Sequence, residues 1–256
     1  MPQTATYIYC LVEQARRPAP IKAARGLPGA AAPEILPVGK SLWAVAAEVP
    51  LAIYGSNHLE ERLKDIKWVA DVALAHEAII EQFASRRGTA VVPMKLFTMF
   101  STRERAVEDL RGRIREVGAI LKRIRGCQEW GVRVTRRLRE PSSRANAVPQ
   151  QASTGTAFLT AKIKARDDAR AAMLNAAGAA EAAYTELARL ARASRRREAP
   201  EAATTPPLVD AAFLVRADRT ARFRAAARRS ASACRKAGAD LALTGPWPAY
   251  NFVERA

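Results

Sequence analysis

The sequence has few residues of the kinds that build catalytic or metal-binding sites. Its 256 residues include 2 histidines and 3 cysteines. Cys10, Cys127 and Cys234 lie far apart and form no CxxC pair, so the sequence predicts neither a disulfide framework nor a zinc site. Because all three have apolar neighbours in the sequence, we expect buried, reduced thiols. We predict no metal and no cofactor.

Signature motifs of common enzyme classes are also missing. His76-Glu77 begins like a zinc-protease HExxH motif, but Ile80 occupies the position of the second histidine. Gly39-Lys40-Ser41 resembles the end of a phosphate-binding loop, yet Glu34 stands where the first glycine is required. The sequence contains no GxGxxG and no GxSxG. We therefore expect a protein that is not an enzyme, with His76 as a hydrogen-bonded core histidine.

Long apolar runs are absent as well. No uninterrupted apolar run reaches the roughly 18 residues that a membrane span needs. The first residues lack the basic region and apolar stretch of a secretory signal. Hydrophobic residues still make up 49% of the chain, enough for a substantial core. We predict a cytoplasmic protein with no membrane partner.

Positive charge, by contrast, is abundant. Lysine and arginine total 42 against 25 acidic residues, a formal net charge of +17. This balance favours an acidic partner, which could be nucleic acid, an anionic membrane or an acidic protein, and it is also typical of a solvated face without a specific partner. A DNA-reading motif is not visible, so a basic nucleic-acid-binding regulator is the alternative function and no specific nucleic acid is expected. The candidate basic surface consists of Arg222, Arg228, Arg229 and Arg235.

The hydrophobic pattern predicts an α+β fold with two domains. In the first, a strand at residues 6–12 and a hairpin around Gly39-Lys40 precede a helix at 68–83. A capping box at Ser101 and Glu104 opens a second helix, whose apolar stripe repeats every three or four residues until Gly126. The expected first domain is residues 1–126, and its stripe consists of Val107, Leu110, Ile114, Val117, Leu121 and Ile124.

The second half reads strand, helix, strand, helix, strand, which predicts a second α+β domain at residues 127–256. The expected strands are residues 130–134, 208–216 and 239–244. A polar loop is expected at 139–153 and a long alanine-rich helix at 159–196. The last helix follows Asp218 and buries one face formed by Phe223, Ala227, Ser230 and Cys234.

The C-terminal tail, residues 245–256, concentrates proline and aromatic residues. Proline fixes the backbone in an extended path, and the three rings offer large, rigid surfaces. Two interpretations stay open: the tail packs on its own domain, or it docks another protein. One tail can do both. The candidate partner-binding residues are Gly245, Pro246, Trp247, Pro248, Tyr250 and Phe252.

Several short segments along the chain resemble the GvpL/GvpF family of gas vesicle proteins. The tail motif Thr244-Gly245-Pro246-Trp247-Pro248 is the most specific. Four further matches precede it in the chain: Thr6-Tyr7-Ile8-Tyr9, Ala75-His76-Glu77, Glu129-Trp130-Gly131-Val132-Arg133-Val134 and Gly155-Thr156-Ala157-Phe158-Leu159. One position departs from the pattern, because Phe97 stands where many members have glycine. The resemblance therefore does not carry over a backbone turn that depends on that glycine.

The resemblance implies a fold and a function. Its second domain is expected to be ferredoxin-like. Its members are expected to take a non-enzymatic part in building gas-filled protein shells, located in the gas vesicles of the cytoplasm. The expected partners are the small, apolar shell protein, GvpA, and other gas vesicle proteins.

Overall fold

The structure is a computed structural model that describes residues 3–21, 26–84, 86, 89–137, 155–198 and 206–253. The chain divides into two compact units. The first comprises Met1–Gln128 together with Trp247–Ala256, and the second comprises Glu129–Pro246. The tail thus groups with the first unit, whereas the sequence assigned it to the second. The reason is that its side chains and backbone bond to helices of the first unit.

The first unit is built around an antiparallel sheet. The strands lie in the order β2-β3-β1-β4, and β5 also pairs with β1. The predicted hairpin is confirmed, because β2 pairs with β3 across Gly39-Lys40. Its elements are β1 (Thr4–Glu13), β2 (Glu34–Pro37), β3 (Leu42–Pro50), α1 (Leu51–Tyr54), α2 (Ser56–Arg62), α3 (Ile66–Ala84), β4 (Ala90–Pro93), β5 (Met99–Phe100), α4 (Arg103–Gly112) and α5 (Ile114–Ile124).

The central strand β1 explains the core of this unit. Its residues 5–12 are all buried, on both faces of the sheet, and this requires cover on each side. Helix α3 packs on one face, with Val72, Ile79 and Phe83 against Tyr7 and Tyr9. Helix α4 contacts β1 and β5, and helix α5 contacts β4. The β-branched and aromatic run of the sequence therefore identified a strand that has no solvated face.

The helix predicted from Ser101 is in fact two helices, α4 and α5. Thr102, rather than Ser101, caps the start, because its side chain accepts a hydrogen bond from the Arg105 amide at 3.3 Å. The helical conformation is interrupted at Arg113, and Ile114, a residue of the predicted apolar stripe, is exposed as a result. Gly126 follows the end of α5 with a φ of +69°, a conformation that glycine adopts without steric cost.

The second unit has one strand more than predicted, and this additional strand pairs antiparallel with its neighbour. Its elements follow the order β-α-β-β-α-β, with strands arranged β7-β8-β6-β9, and from this order we infer a ferredoxin-like arrangement. Both helices contact β8 and pack against each other. The elements are β6 (Cys127–Arg136), α6 (Gly155–Leu190), β7 (Ala193–Arg196), β8 (Val209–Arg216), α7 (Thr220–Lys236) and β9 (Ala239–Trp247).

The prediction for α6 was wrong at its C-terminal end. The helix ends at Leu190, and the residues expected to continue it form β7, which pairs with β8. An arginine-rich run has good helix propensity, but pairing with a buried strand outweighs propensity here. The polar loop predicted at 139–153 lies outside the described residues.

The cysteines are free, as the sequence predicted, but they are not equally buried. Cys10 and Cys234 are buried, and burial raises the pKa of both thiols. Cys127, the first residue of β6, is only half-buried.

Candidate functional site

The buried histidine of the first unit is fully hydrogen-bonded. His76 lies on the inner face of α3 and is 2% exposed. Its Nδ1 accepts a hydrogen bond from the Tyr7 hydroxyl at 2.8 Å, and its Nε2 donates to the Met94 carbonyl at 3.1 Å. The neutral Nε2–H tautomer satisfies both bonds. The prediction of a hydrogen-bonded core histidine is confirmed.

The surroundings of His76 keep the ring neutral. Burial lowers its pKa to about 4, although the bond to Met94 acts in the opposite direction. Burial also raises the pKa of Tyr7 well above its usual range. Both groups are therefore neutral near pH 7, and their hydrogen bond joins β1 to α3.

The turn at Phe97 completes this network. Phe97 has a φ of 63° and is the one non-glycine residue with positive φ that the described part of the chain contains. Its amide donates to the Tyr7 hydroxyl at 3.4 Å, and its ring stacks on Trp68 with centroids 6.0 Å apart. The backbone turn that glycine would allow is therefore present without glycine. The left-handed conformation costs a non-glycine residue about 1–2 kcal/mol.

The residue after His76 ties the tail to α3. The Tyr250 hydroxyl donates a hydrogen bond to Glu77 Oε2. Glu77 Oε1 is buried and has no hydrogen-bond partner among the described residues. Burial raises the pKa of Glu77, while the bond from Tyr250 lowers it. Burial also raises the pKa of Tyr250, so the phenol remains a donor. The hydrogen bond between Tyr250 and Glu77 thus joins the tail and α3 in one structural site.

A second contact fixes the end of the tail. Arg123 of α5 donates two hydrogen bonds to the Phe252 carbonyl, from Nε at 3.0 Å and from Nη2 at 2.6 Å. The Phe252 ring is 5% exposed, and Pro248 is buried as well. Sequence reasoning missed Arg123, because a backbone carbonyl leaves no signal in the sequence that would identify its donor.

The predicted tail residues thus separate into two groups. Pro248, Tyr250 and Phe252 lie against the first unit, and they brace the tail. Trp247 is 42% exposed, and Pro246 is exposed beside it. Gly245 is half-buried. The structure therefore presents one large aromatic ring to solvent on a segment that is held on its C-terminal side.

Two further family-like segments meet in the second unit. A Cβ atom at Gly131 of β6 would stand 2.6 Å from the Thr244 Oγ1 of β9, so only glycine fits there without a shift of its neighbours.

A polar cluster in the second unit was not predicted from the sequence. Asp210 is buried, and Arg133 and Arg197 contact its carboxylate at 2.7 Å and 2.5 Å. The carboxylate of Asp210 thus links β8 to β6 and to the residue that follows β7.

The predicted basic surface lies on the outside of α7. Its four arginines are exposed, and the predicted inner face with Phe223 and Cys234 is buried. Arg229 donates to Glu186 at 3.0 Å, so part of the charge is neutralised. Residues 129–246 contain 22 lysines and arginines against 11 acidic residues, a balance of +11; the remaining residues have 20 against 14, a balance of +6.

The described residues contain no group of three histidine, cysteine or acidic side chains that could hold a metal ion. Within the same ranges, no helix combines the length and apolar character that crossing a bilayer requires. His76 and Glu77 contact tyrosines and backbone rather than a nucleophile. The geometry of the site is that of a braced, partly exposed tail.

Comparison with known proteins extends over almost the whole chain. The family model described as "Gas vesicle synthesis protein GvpL/GvpF" matches residues 5–254. Gas vesicle protein L of Streptomyces sp. (strain CB03234) is 30% identical over 237 residues, which are 88% of this chain and 84% of that protein.

Two crystal structures share the fold. The gas vesicle protein GvpF from Anabaena sp. PCC7120 has a TM-score of 0.67 at 14% identity, covering 99% of this chain and 97% of that one. GvpF from Microcystis aeruginosa has a TM-score of 0.61 at 10% identity, covering 98% and 99%. These likenesses establish the mixed α/β fold, and the match of the family model establishes the relationship. The chain belongs to the gas vesicle protein family GvpL/GvpF.

Proposed function

We propose that this protein is a non-enzymatic adaptor of gas vesicle assembly in the cytoplasm. Its partners are the apolar shell protein GvpA and other gas vesicle proteins, and Trp247 is the anchor of the docking surface. The observation that carries this proposal is the division of the tail into a braced part and an exposed ring. A subunit as apolar as the shell protein must be kept soluble or positioned before the shell closes, and an adaptor with a charged exterior can do both.

The physics of docking favours such an anchor. Phe252 and Tyr250 are already held by Arg123 and Glu77, so the segment around Trp247 loses little conformational entropy when a partner binds. Tryptophans that become buried at the centre of an interface typically contribute most of its binding energy. The exposed ring supports a protein-binding role, and the enclosed histidine offers nothing for catalysis.

A pull-down panel tests which partner the adaptor binds. The full-length protein, immobilised, is exposed to each other gas vesicle protein separately, including the shell subunit. We expect capture of the shell protein by the native chain and reduced capture by Trp247→Ala. Failure to retain any gas vesicle protein would overturn the adaptor function. Undiminished capture by the variant would overturn the role of Trp247 and leave the adaptor function standing.

The alternative function, a nucleic-acid-binding regulator, is supported by charge alone. Binding through phosphates has a steep salt dependence, with the logarithm of affinity falling by about 0.9 per phosphate contact for each tenfold rise in salt. A duplex-DNA titration at two salt concentrations therefore separates the two functions. The adaptor proposal expects no tight binding at physiological salt.

A further inference from the structure

The first half of α6 is a helix without a partner in the described chain. Residues 156–175 are exposed without exception, whereas Ala176, Ala180, Ala183 and Leu187 of the second half are buried in the core of the second unit. Isolated helices of this length are marginal in water. An exposed 20-residue helical extension is therefore a feature that packing within the second unit does not explain.

This exposed half carries large apolar side chains. Phe158 is 60% exposed and Leu174 is 64% exposed, and Leu159, Ile163 and Met173 are exposed between them. A run of exposed apolar side chains on one element commonly marks an interaction site. Phe158 and Leu159 also belong to a segment that matches the family.

Positive charge lies on the same side of the helix. Leu159, Lys162, Arg166, Arg170 and Met173 follow one another at intervals of three or four residues, so they lie within about 80° of one another on one face of the helix. We call Lys162, Arg166 and Arg170 the cationic row. Leu159 and Met173 stand at the two ends of this face, about 21 Å apart along the axis at 1.5 Å per residue.

The acidic residues of this half lie elsewhere. Asp168 is on the opposite side of the helix, and Asp167 lies at the border, where it contacts Arg166 at 3.4 Å. Both members of that pair are more than half exposed, so the contact neutralises little of the row's charge. Within the described ranges, Lys162 and Arg170 have no ion pair. The face is therefore both apolar and cationic.

We propose that this face binds an acidic amphipathic helix of another protein. Carboxylates spaced four residues apart on such a helix would oppose the cationic row, and apolar residues at its ends would cover Leu159 and Met173. Charge complementarity of this kind determines partner choice and register between helices.

The arrangement favours this occupant over three others. A second copy of the face would oppose arginine to arginine. Helices that lie on membranes carry their cations on the polar face, whereas here the cations lie between the apolar residues. A nucleic acid would leave five large apolar side chains against phosphates. A helix with acidic and apolar residues on one face matches every feature.

The test uses the full-length protein and a fluorescent synthetic helix. The probe has about 20 residues, with three glutamates at intervals of four and leucines at both ends of the same face; in the matched peptide, lysines replace the glutamates. Fluorescence anisotropy at low salt should show binding of the acidic probe and at least about tenfold weaker binding of the lysine peptide, since three exposed ion pairs together give about that factor.

Two triple variants locate the site on the protein. The first variant should weaken probe binding by at least about tenfold; it combines Lys162→Glu, Arg166→Glu and Arg170→Glu. The second variant makes the same change in net charge on α7 and should leave the affinity for the probe within about twofold; it combines Arg222→Glu, Arg228→Glu and Arg235→Glu. A Leu159→Ala, Met173→Ala double variant should also bind more weakly. Circular dichroism checks that each variant keeps its helix content.

Every other outcome contradicts the proposal. If the acidic probe does not bind, or if both triple variants lose affinity for it equally, this face is not the binding site. Binding of vesicles of four parts phosphatidylcholine to one part phosphatidylserine, lost only in the cationic-row variant while the probe does not bind, would assign the face to membranes. Self-association lost in that variant would assign it to a second copy. Trp247→Ala leaves this face intact, so this proposal and the tail proposal can fail independently.

Discussion

The family-like residues of β1 and α3 and those at the start of α6 differ in burial. In the first unit, Tyr7 and His76 face inward and bond to each other. In the second, Phe158 and Leu159 face solvent. A match to a family motif therefore does not reveal whether a residue maintains the fold or meets a partner. Burial and hydrogen bonding separate the two roles: here they assign the histidine to the fold and leave Phe158 and Leu159 open to a partner.

The tail repeats this contrast within a few residues. Phe252 is buried and its carbonyl is held by Arg123, whereas Trp247 has almost half of its surface exposed. Two aromatic residues of similar size are thus expected to contribute to different quantities, one to stability and one to binding. Substitution of each by alanine tests the contrast directly.

The largest effect is expected from Phe252→Ala. Removing a buried phenylalanine ring destabilises a protein by about 3–5 kcal/mol, because apolar burial is lost and a cavity remains. Urea denaturation should show a lower free energy of unfolding for this variant. A loss below about 1 kcal/mol would show that the tail end is not part of the folded core and would remove the basis for a braced tail.

Protonation of His76 at low pH should destabilise the protein by somewhat less than the Phe252→Ala substitution does. The folded protein holds the ring neutral down to a pKa of about 4, while the unfolded chain takes up a proton near pH 6.5. Stability is therefore lost as pH falls from about 6.5 to 4, by about 3 kcal/mol in total. Glu77, whose pKa is raised by burial, acts in the opposite sense in that range.

The control for this prediction is His76→Gln, which keeps Glu77 and removes the titrating ring. The difference in unfolding free energy between the native chain and the variant should shrink as the pH is lowered. At neutral pH the folded variant should still support vesicle formation, since the protein is expected not to be an enzyme. A well-folded variant that binds its partners but forms no vesicles would contradict this expectation.

The sequence predicted the outline of the fold because its patterns are local. A run of β-branched and aromatic residues identified β1, and alternating residues identified the hairpin of β2 and β3. The stripe of α3 placed His76 in the core. Features that depend on distant contacts were missed. Strand β7 has an arginine-rich sequence typical of a helix, and only its pairing with β8 makes it a strand.

The candidate site was predicted in part for the same reason. Proline and aromatic content identified the tail, but the sequence could not show that Tyr250 bonds to Glu77, 173 residues away. The split between exposed Trp247 and buried Phe252 also depends on where the tail lies. Asp210 lies in β8, Arg133 in β6 and Arg197 directly after β7, so no spacing in the sequence links them.

The smallest effect concerns the turn at Phe97. Phe97→Gly and Phe97→Ala both remove the ring that stacks on Trp68, but only alanine keeps a Cβ atom at a φ of 63°. The glycine variant should therefore be more stable than the alanine variant by about 1 kcal/mol. Equal stability, measured by chemical denaturation, would show that the turn carries no steric cost.

The most direct test of the adaptor proposal measures melting and partner binding together for Trp247→Ala. We predict about thirtyfold weaker binding to the gas vesicle partner, the factor that corresponds to about 2 kcal/mol, with a nearly unchanged melting temperature. Lowered stability with unchanged affinity of the folded protein would contradict the account, because it would make Trp247 a brace like Phe252.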